Sequence, residues 1–256
     1  MKKPSSVTLG IDLGGTNFTV AVMDASGRLL AKSKSETLAS RGPADLIARL
    51  AAESLKVSAA SGVKPGRIKA LGIGSPGPLD AKRGLVLDPP NLPGWRRVPL
   101  TRLMARKTGF KVFLDNDANA AALGETVFGA GRGFSEVIAI TLGTGVGGGI
   151  VLGGKIYSGP DSTAGELGHM SLDPKGPLCN CGQRGCLEQY ASATAIARRA
   201  AQLVALARRG PLWKLCQGRP ALVTGKMAHQ ALRLGDASAK KTWAEASWAL
   251  GSAIGS

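Results

Sequence analysis

The sequence predicts an α/β protein of two lobes, and three observations carry that reading. An apolar, β-branched run, Val7–Ile11, leads straight into Asp12-Leu13-Gly14-Gly15-Thr16-Asn17. A second run, Glu136–Leu142, leads into Gly143-Thr144-Gly145-Val146-Gly147-Gly148-Gly149. Around them, short strand-like runs alternate with longer stretches of helical periodicity. Two strand-to-glycine-loop starts indicate a distant duplication, with one lobe over residues 1–115 and a larger one over 116–256.

The elements follow in order. Phe18–Met23 and Leu29–Lys34 read as strands, joined by the turn residues Asp24-Ala25-Ser26-Gly27, so the chain opens as a β-meander. Between Pro43 and Ala60, Leu46, Ile47, Leu50, Leu55 and Val57 recur at helical spacing, with Asp45, Arg49, Glu53 and Lys56 between them. Ile68–Ile73 reads as a buried strand, and Gly74-Ser75-Pro76-Gly77-Pro78-Leu79 as a rigid loop after it. Asp88–Trp95, rich in proline, reads as an ordered surface loop. Val98–Thr108 reads as a short helix and Lys111–Leu114 as a strand. Ala118–Phe128 is an Ala-rich helix whose cap is Asn116 or Asp117. Glu136–Leu142 reads as a buried strand with Gly148–Leu152 as its partner. Ala191–Arg208 and Lys226–Leu250 read as helices.

With 44% hydrophobic residues in 256, the chain can bury a substantial core. No apolar run reaches transmembrane length, and Val7–Ile11 is too short for a signal segment, so a cytoplasmic protein without a membrane partner is expected. The net charge is +16, and from Gln189 onward ten Lys/Arg face two Asp/Glu. The cations are scattered, as in Arg198-Arg199, Arg208-Arg209 and Lys240-Lys241, and aromatic residues make up only 4% of the chain. Bases would find little to stack on. The charge therefore reads as a solvated basic surface, and no nucleic-acid partner is expected.

Gly165-Glu166-Leu167-Gly168-His169 and Cys179-x-Cys181-x4-Cys186-Leu187-Glu188 form the densest chemical pattern in the chain. One histidine and three cysteines make a complete tetrahedral zinc set with no open position. Gly182 and Gly185 supply turns that let the sulfurs converge. Three cysteines cannot pair evenly as disulfides, and the remaining Cys216 reads as a core or free thiol. Glu166 and Glu188 bracket the cluster, so the metal would hold acidic side chains in place. His229 reads as a solvent-facing helix residue.

The loop Asp12–Asn17 offers backbone N–H groups able to cradle phosphate oxygens, and equally reads as a plain hairpin turn. It is not a Walker A loop, since no Lys-Ser/Thr follows its glycines. The loop at Thr144 lies between two strands, which argues against a dinucleotide fingerprint. Asp12, at the end of its strand, is placed to hold Mg²⁺ through water. Asp117 suits a general base, and equally a helix cap.

Four motifs in order, Asp12–Asn17, Leu114-Asp115-Asn116-Asp117-Ala118-Asn119, Leu142–Gly149 and the GELGH/CxCGxxGCLE pair, resemble the ROK family of repressors, open reading frames and sugar kinases. The resemblance implies an actin/hexokinase-like ATPase fold with ribonuclease H-like lobes. It also implies a glucokinase-like transfer of phosphate from ATP–Mg²⁺ to a hexose, in a homodimer or homotetramer. It assigns Asp117 as the base, with Asp115 pointing away. Gly77, Asn116, Asp117, Glu166, His169 and Glu188 become sugar ligands. Asp12, Gly14, Gly15, Thr16, Asn17, Gly143, Thr144 and Gly145 become donor ligands, and His169, Cys179, Cys181 and Cys186 hold structural zinc. N-acetylmannosamine, N-acetylglucosamine, mannose or fructose are alternatives to glucose, and polyphosphate is an alternative to ATP. Family repressors carry a winged-helix domain ahead of the first loop, and only eleven residues precede Asp12 here. Family kinases carry an adenosine motif of the form GGG after a helix like Ala244–Ile254. No counterpart follows Glu188, so the expectation is a C-terminally truncated kinase with weakened ATP binding, or a non-enzymatic sugar sensor. The same expectation leaves apolar residues of the last helix uncovered.

Overall fold

A computed structural model describes residues 7–160 and 163–255. They fold as two compact units, residues 7–137 with 150–160, and residues 138–149 with 163–255.

The first unit opens with β1 (Val7–Leu13), β2 (Asn17–Asp24) and β3 (Leu29–Glu36), paired antiparallel as the expected meander. The helix α1 (Gly42–Ala60) follows, then β4 (Ile68–Ser75) and a small hairpin, β5 (Leu79–Asp80) and β6 (Leu85–Val86). Next come α2 (Leu100–Thr108), β7 (Val112–Asn116) and α3 (Asp117–Phe128). The sheet order is β3-β2-β1-β4-β7, with β4 parallel to β1 and β7 parallel to β4. Strict alternation buries Val7, Leu9, Ile11 and Leu13 on one face of β1. Leu46, Ile47 and Leu50 of α1 and Leu100 and Met104 of α2 join them in a single core. Each such aliphatic side chain contributes about 1.5–3 kcal/mol on burial.

The 88–95 segment is the irregular surface loop expected, with most of its residues exposed, but it is anchored inward. It has no strand or helix, but Leu92 and Trp95 are fully buried in the same core. Proline excludes ladder pairing while leaving these two side chains free to anchor the loop. The expected lobe division at 115/116 also falls inside the first unit, because α3 packs on β4 and β7.

A three-stranded sheet, order β10-β9-β8, contains β8 (Val137–Leu142), β9 (Val146–Leu152) and β10 (Lys155–Ile156). The reading of β8 as a buried strand is corrected. It is an edge strand among the described residues, and Ile138 is 67% exposed.

The second unit continues with α4 (Glu188–Ala191), α5 (Ala193–Ala207), α6 (Pro211–Leu215), α7 (Gly225–Arg233) and α8 (Ala237–Ile254). Ile196, Ala200 and Val204 of α5 pack with Ala228 and Ala231 of α7 and Ala239 and Ala246 of α8, together with the buried Cys216. The expected helix Lys226–Leu250 is two helices. Gly235, at φ 79°, ends the first, and Asp236 starts the second. His229 is exposed as expected, with its ring edge-on to Trp243 at 5.8 Å. On α8 Ala246 is buried, whereas Trp248 is 58% and Ile254 68% exposed. No helix of the described residues is long and apolar enough to cross a membrane.

Asp236 is buried and caps two helices at once. Its Oδ1 accepts from Ala239 N at 2.9 Å and its Oδ2 from Leu212 N at 2.9 Å. Asp236→Ala should lower stability by about 1–3 kcal/mol, through the lost cap and an unpaired Leu212 N–H. A urea titration of the variant against the parent protein checks this; an unchanged midpoint would mean that the caps contribute nothing.

Candidate functional site

The parallel ladder sets the site in the first unit. Asp12 lies opposite Gly74, Gly74 opposite Asp115, and Ser75 opposite Asn116, so one edge collects the carboxyl ends of β1, β4 and β7. That edge is where open α/β sheets take ligands. Gly74 has a local reason to lack a side chain. A Cβ there would stand 3.4 Å from Asp117 Cα and 3.3 Å from Ala120 Cβ, so glycine lets the first turn of α3 close onto β4.

The helix start resolves the capping question. Asn116 is the cap, its Oδ1 accepting from Ala118 N at 2.8 Å and Asn119 N at 3.3 Å. Asp115 is partly exposed and engaged within the fold, its Oδ1 accepting from Asn119 Nδ2 at 2.9 Å and Asn116 N at 2.7 Å. Asp117 is exposed and accepts from Ala118 N at 2.9 Å. Its carboxyl is raised above the ordinary aspartate value. The main cause is desolvation by surrounding protein, which the Ala118 hydrogen bond opposes, and the negative charge of Asp12 adds a smaller upward push. A Cβ on Gly77 would lie 3.7 Å from Asn116 Nδ2, so the loop after β4 faces the free end of the capping side chain.

The first glycine loop is a tight turn, Gly14 N donating to Asn17 O at 3.0 Å. Thr37 Oγ1 donates to Gly14 O at 2.6 Å and Thr37 N to Thr16 O at 2.8 Å. The space beside Gly15 is filled by Asn91, whose Cβ would stand 2.9 Å from a side chain there.

In the second unit, residues 143–145 join β8 to β9, with Gly143 N donating to Gly145 O at 2.9 Å. Ala193 N donates to Gly143 O at 2.9 Å, and Thr194 Oγ1 to Thr144 O at 2.8 Å. Glu188 Oε2 accepts from Val146 N at 2.9 Å, tying α4 to this loop.

The predicted ligand set also comes together in the second unit. The ligand atoms of His169, Cys179, Cys181 and Cys186 all lie within 4.8 Å of one another, placed to hold one metal ion. Cys179 Sγ is 3.6 Å from His169 Nδ1, and Cys181 Sγ is 3.6 Å from Cys186 Sγ. Backbone bonds from Leu172 N to Gly185 O and from Leu187 N to Met170 O, both 2.9 Å, bring the histidine and cysteine segments side by side. Burial, with Cys181 and Cys179 beside it, pushes the Cys186 thiol up to about 12. His169 Nε2 faces Glu166 Oε2 at 4.0 Å.

The family model for the ROK family matches residues 8–256. This chain belongs to the ROK family. It is 45% identical over 233 residues to a glucokinase of Thermotoga maritima, covering 91% of this chain and 72% of that protein. The structure of a ROK hexokinase from Thermus thermophilus superposes with a TM-score of 0.81 at 37% identity, over 97% of this chain and 76% of that one. A Streptomyces griseus ROK glucokinase, solved in complex with glucose and AMPPNP, gives 0.79 at 38% identity, over 97% of this chain and 78% of that one. The fold is thus the actin/hexokinase-like α/β fold expected from the motifs.

Sequence reasoning named both glycine loops but not Thr37, Asn91 or Thr194, which touch them. Thr37 and Thr194 act 23 and 50 residues away from their partners, and neither sits in a motif.

Gly185 has φ 68°, and a methyl there would strike the Asp173 carbonyl. Gly185→Ala should therefore shift the cysteine loop and cost about 1–3 kcal/mol of stability. Thermal unfolding of the variant, with metal content measured alongside, reports both; parent-like values for the two would show that the turn tolerates a side chain.

Proposed function

We propose that this chain is an ATP-dependent sugar kinase that converts glucose to glucose 6-phosphate. The observation that carries the reading is Asp117, a solvent-facing carboxylate at a helix start, beside Asp12 at the carboxyl edge of the parallel strands. Phosphoryl transfer to an alcohol needs a base at the hydroxyl and N–H donors for the phosphate, with little covalent chemistry besides.

In this reading Asp117 accepts the hydroxyl proton as the sugar oxygen attacks the terminal phosphoryl group. Asn116 gives its Oδ1 to the helix and keeps Nδ2 to donate to a sugar hydroxyl. Gly77 leaves room for the ring. Glu166, His169 and Glu188 bind further hydroxyls, since carboxylates are strong acceptors for polyols. The loops at Gly14-Gly15-Thr16-Asn17 and Gly143-Thr144-Gly145 donate backbone N–H groups to the nucleotide phosphates, except those of Gly14 and Gly143, which Asn17 O and Gly145 O already hold. Magnesium supplies charge neutralisation at the phosphates, and Asp12 would hold it through its water shell.

The cysteine cluster fits zinc. Bond lengths of about 2.3 Å to sulfur and 2.0–2.1 Å to nitrogen give tetrahedral edges of about 3.8 Å for S···S and about 3.6 Å for S···N. The spacings of 3.6 Å for both pairs lie close to these. With four ligands filled, the ion's part is to order the loop carrying Glu188 and to fix the His169 tautomer, leaving Nε2 for Glu166 or a hydroxyl. Thiols kept reduced for a metal suit a cytoplasmic protein.

Four measurements test this. A coupled assay with ATP should favour glucose over N-acetylmannosamine, N-acetylglucosamine, mannose and fructose; no turnover with any of them, with ATP or polyphosphate, would remove the reading. Asp117→Asn keeps the shape but not the proton acceptor, so turnover should fall by about two to four orders of magnitude with sugar affinity nearly unchanged. Because the working form of Asp117 is deprotonated, kcat/KM should drop as pH falls through its pKa, which lies above the ordinary aspartate range. Elemental analysis of protein purified without added metal should give about one zinc per chain, and Cys181→Ser should abolish it; a metal-free active protein would contradict the assignment.

A further inference from the structure

Both glycine loops are held from behind by a threonine hydroxyl that lies outside the loop. Thr37 is fully buried, and it grips the first loop twice, by Oγ1 to Gly14 O at 2.6 Å and by N to Thr16 O at 2.8 Å. Its own carbonyl accepts from Arg49 Nη2, while Arg49 Nη1 donates to Glu36 O at 2.7 Å and Nε to Asp45 Oδ2 at 2.7 Å. The second loop repeats the arrangement, with Ala193 N on Gly143 O and Thr194 Oγ1 on Thr144 O.

A trans peptide is planar, so its N–H points opposite to its C=O. Holding Gly14 O against Thr37 therefore turns the Gly15 N–H away from Thr37. Holding Thr16 O does the same for the Asn17 N–H, and holding Gly143 O and Thr144 O does so for Thr144 and Gly145. The Gly14–Gly15 peptide is flanked by glycine on both sides, so without a tether it can rotate at little steric cost. A rotated peptide would present an oxygen, not an N–H, on the face it had offered to an anion.

We propose that Thr37 and Thr194 are positioning residues for the phosphoryl donor, each fixing the orientation of a loop peptide so that its N–H serves a phosphate oxygen. The proposal rests on the reading that these loops take the phosphates of ATP. Neither threonine need touch the nucleotide. Arg49 and Asp45 stand behind Thr37 as a brace, reached from α1.

The test compares Thr37→Val, Thr37→Ser, Thr194→Val and the parent chain. Isothermal titration measures Mg·AMPPNP and glucose binding separately, and steady-state assays give KM for ATP and for glucose. Each valine variant should weaken Mg·AMPPNP binding and raise KM for ATP by about ten- to a hundredfold, the worth of a hydrogen bond to a charged group. Glucose binding should be unchanged, and Thr37→Ser should recover most of the nucleotide affinity. A general loss of structure would weaken both ligands and would not be rescued selectively by serine. If Thr37→Val fails to fold, Thr194→Val decides, because Thr194 is exposed at a helix start. Parent-like nucleotide affinity in the folded valine variants overturns the proposal while leaving the kinase reading intact. A parent chain that binds Mg·AMPPNP but phosphorylates no hexose, with binding still lost in the valine variants, overturns the kinase reading and upholds the proposal. A parent chain that binds no nucleotide overturns both.

Discussion

Three parallel strands ending in register are the constraint on which the first unit depends. The ladder β1-β4-β7 places Asp12, the loop leading to Gly77, and Asn116-Asp117 on one edge of one sheet. A parallel register cannot slip by one residue without exposing the whole buried row of β1, so the apolar alternation fixes the chemistry as well as the core. Gly74 completes the arrangement by letting α3 begin directly against β4. The helix start then separates three adjacent polar residues by role. Asp115 serves the fold, Asn116 serves the helix, and Asp117 remains for solvent or ligand.

A comparable economy governs the second unit. Backbone pairing between the His169 and Cys186 segments does what no cysteine spacing does alone, bringing a histidine ten residues upstream to the sulfurs. Glu188 then spans two tasks. It starts α4 two residues after Cys186, and one carboxylate oxygen is spent on Val146 N. The cysteine loop and the second glycine loop are thereby coupled through a single side chain, and a disturbance of either is felt by the other.

The large positive charge has little part in holding the fold. Most of the ion pairs among the described residues are local, at i+3 or i+4, and exposed pairs of that kind contribute a few tenths of a kcal/mol. Arg199 and Glu245 differ, joining α5 to α8 by two bonds of 2.6 and 2.7 Å. That contact, foremost the hydrogen bonds from Arg199, draws the Glu245 carboxyl below its ordinary range. The small-residue packing of α5, α7 and α8, where Ala200, Ala228, Ala231 and Ala239 are fully buried, carries the helices' association instead.

The sequence by itself determined the elements whose signals are local. Alternation marked β1 and β2, helical spacing marked α1, and clustered cysteines marked the cysteine loop; each needs only neighbours a few positions away to be read. The same locality explains where it fell short. Buried Trp95 and Leu92 sit in a proline-rich stretch that looks like surface, and β8 looks buried because its composition is apolar although no strand covers its outer edge among the described residues. Asn116 and Asp117 compete for one cap, and only the geometry of the helix start chose between them. The threonines behind the glycine loops lie furthest from legibility. A hydroxyl reaching a carbonyl 23 or 50 residues away leaves no period and no motif, so its assignment was decided by tertiary structure alone.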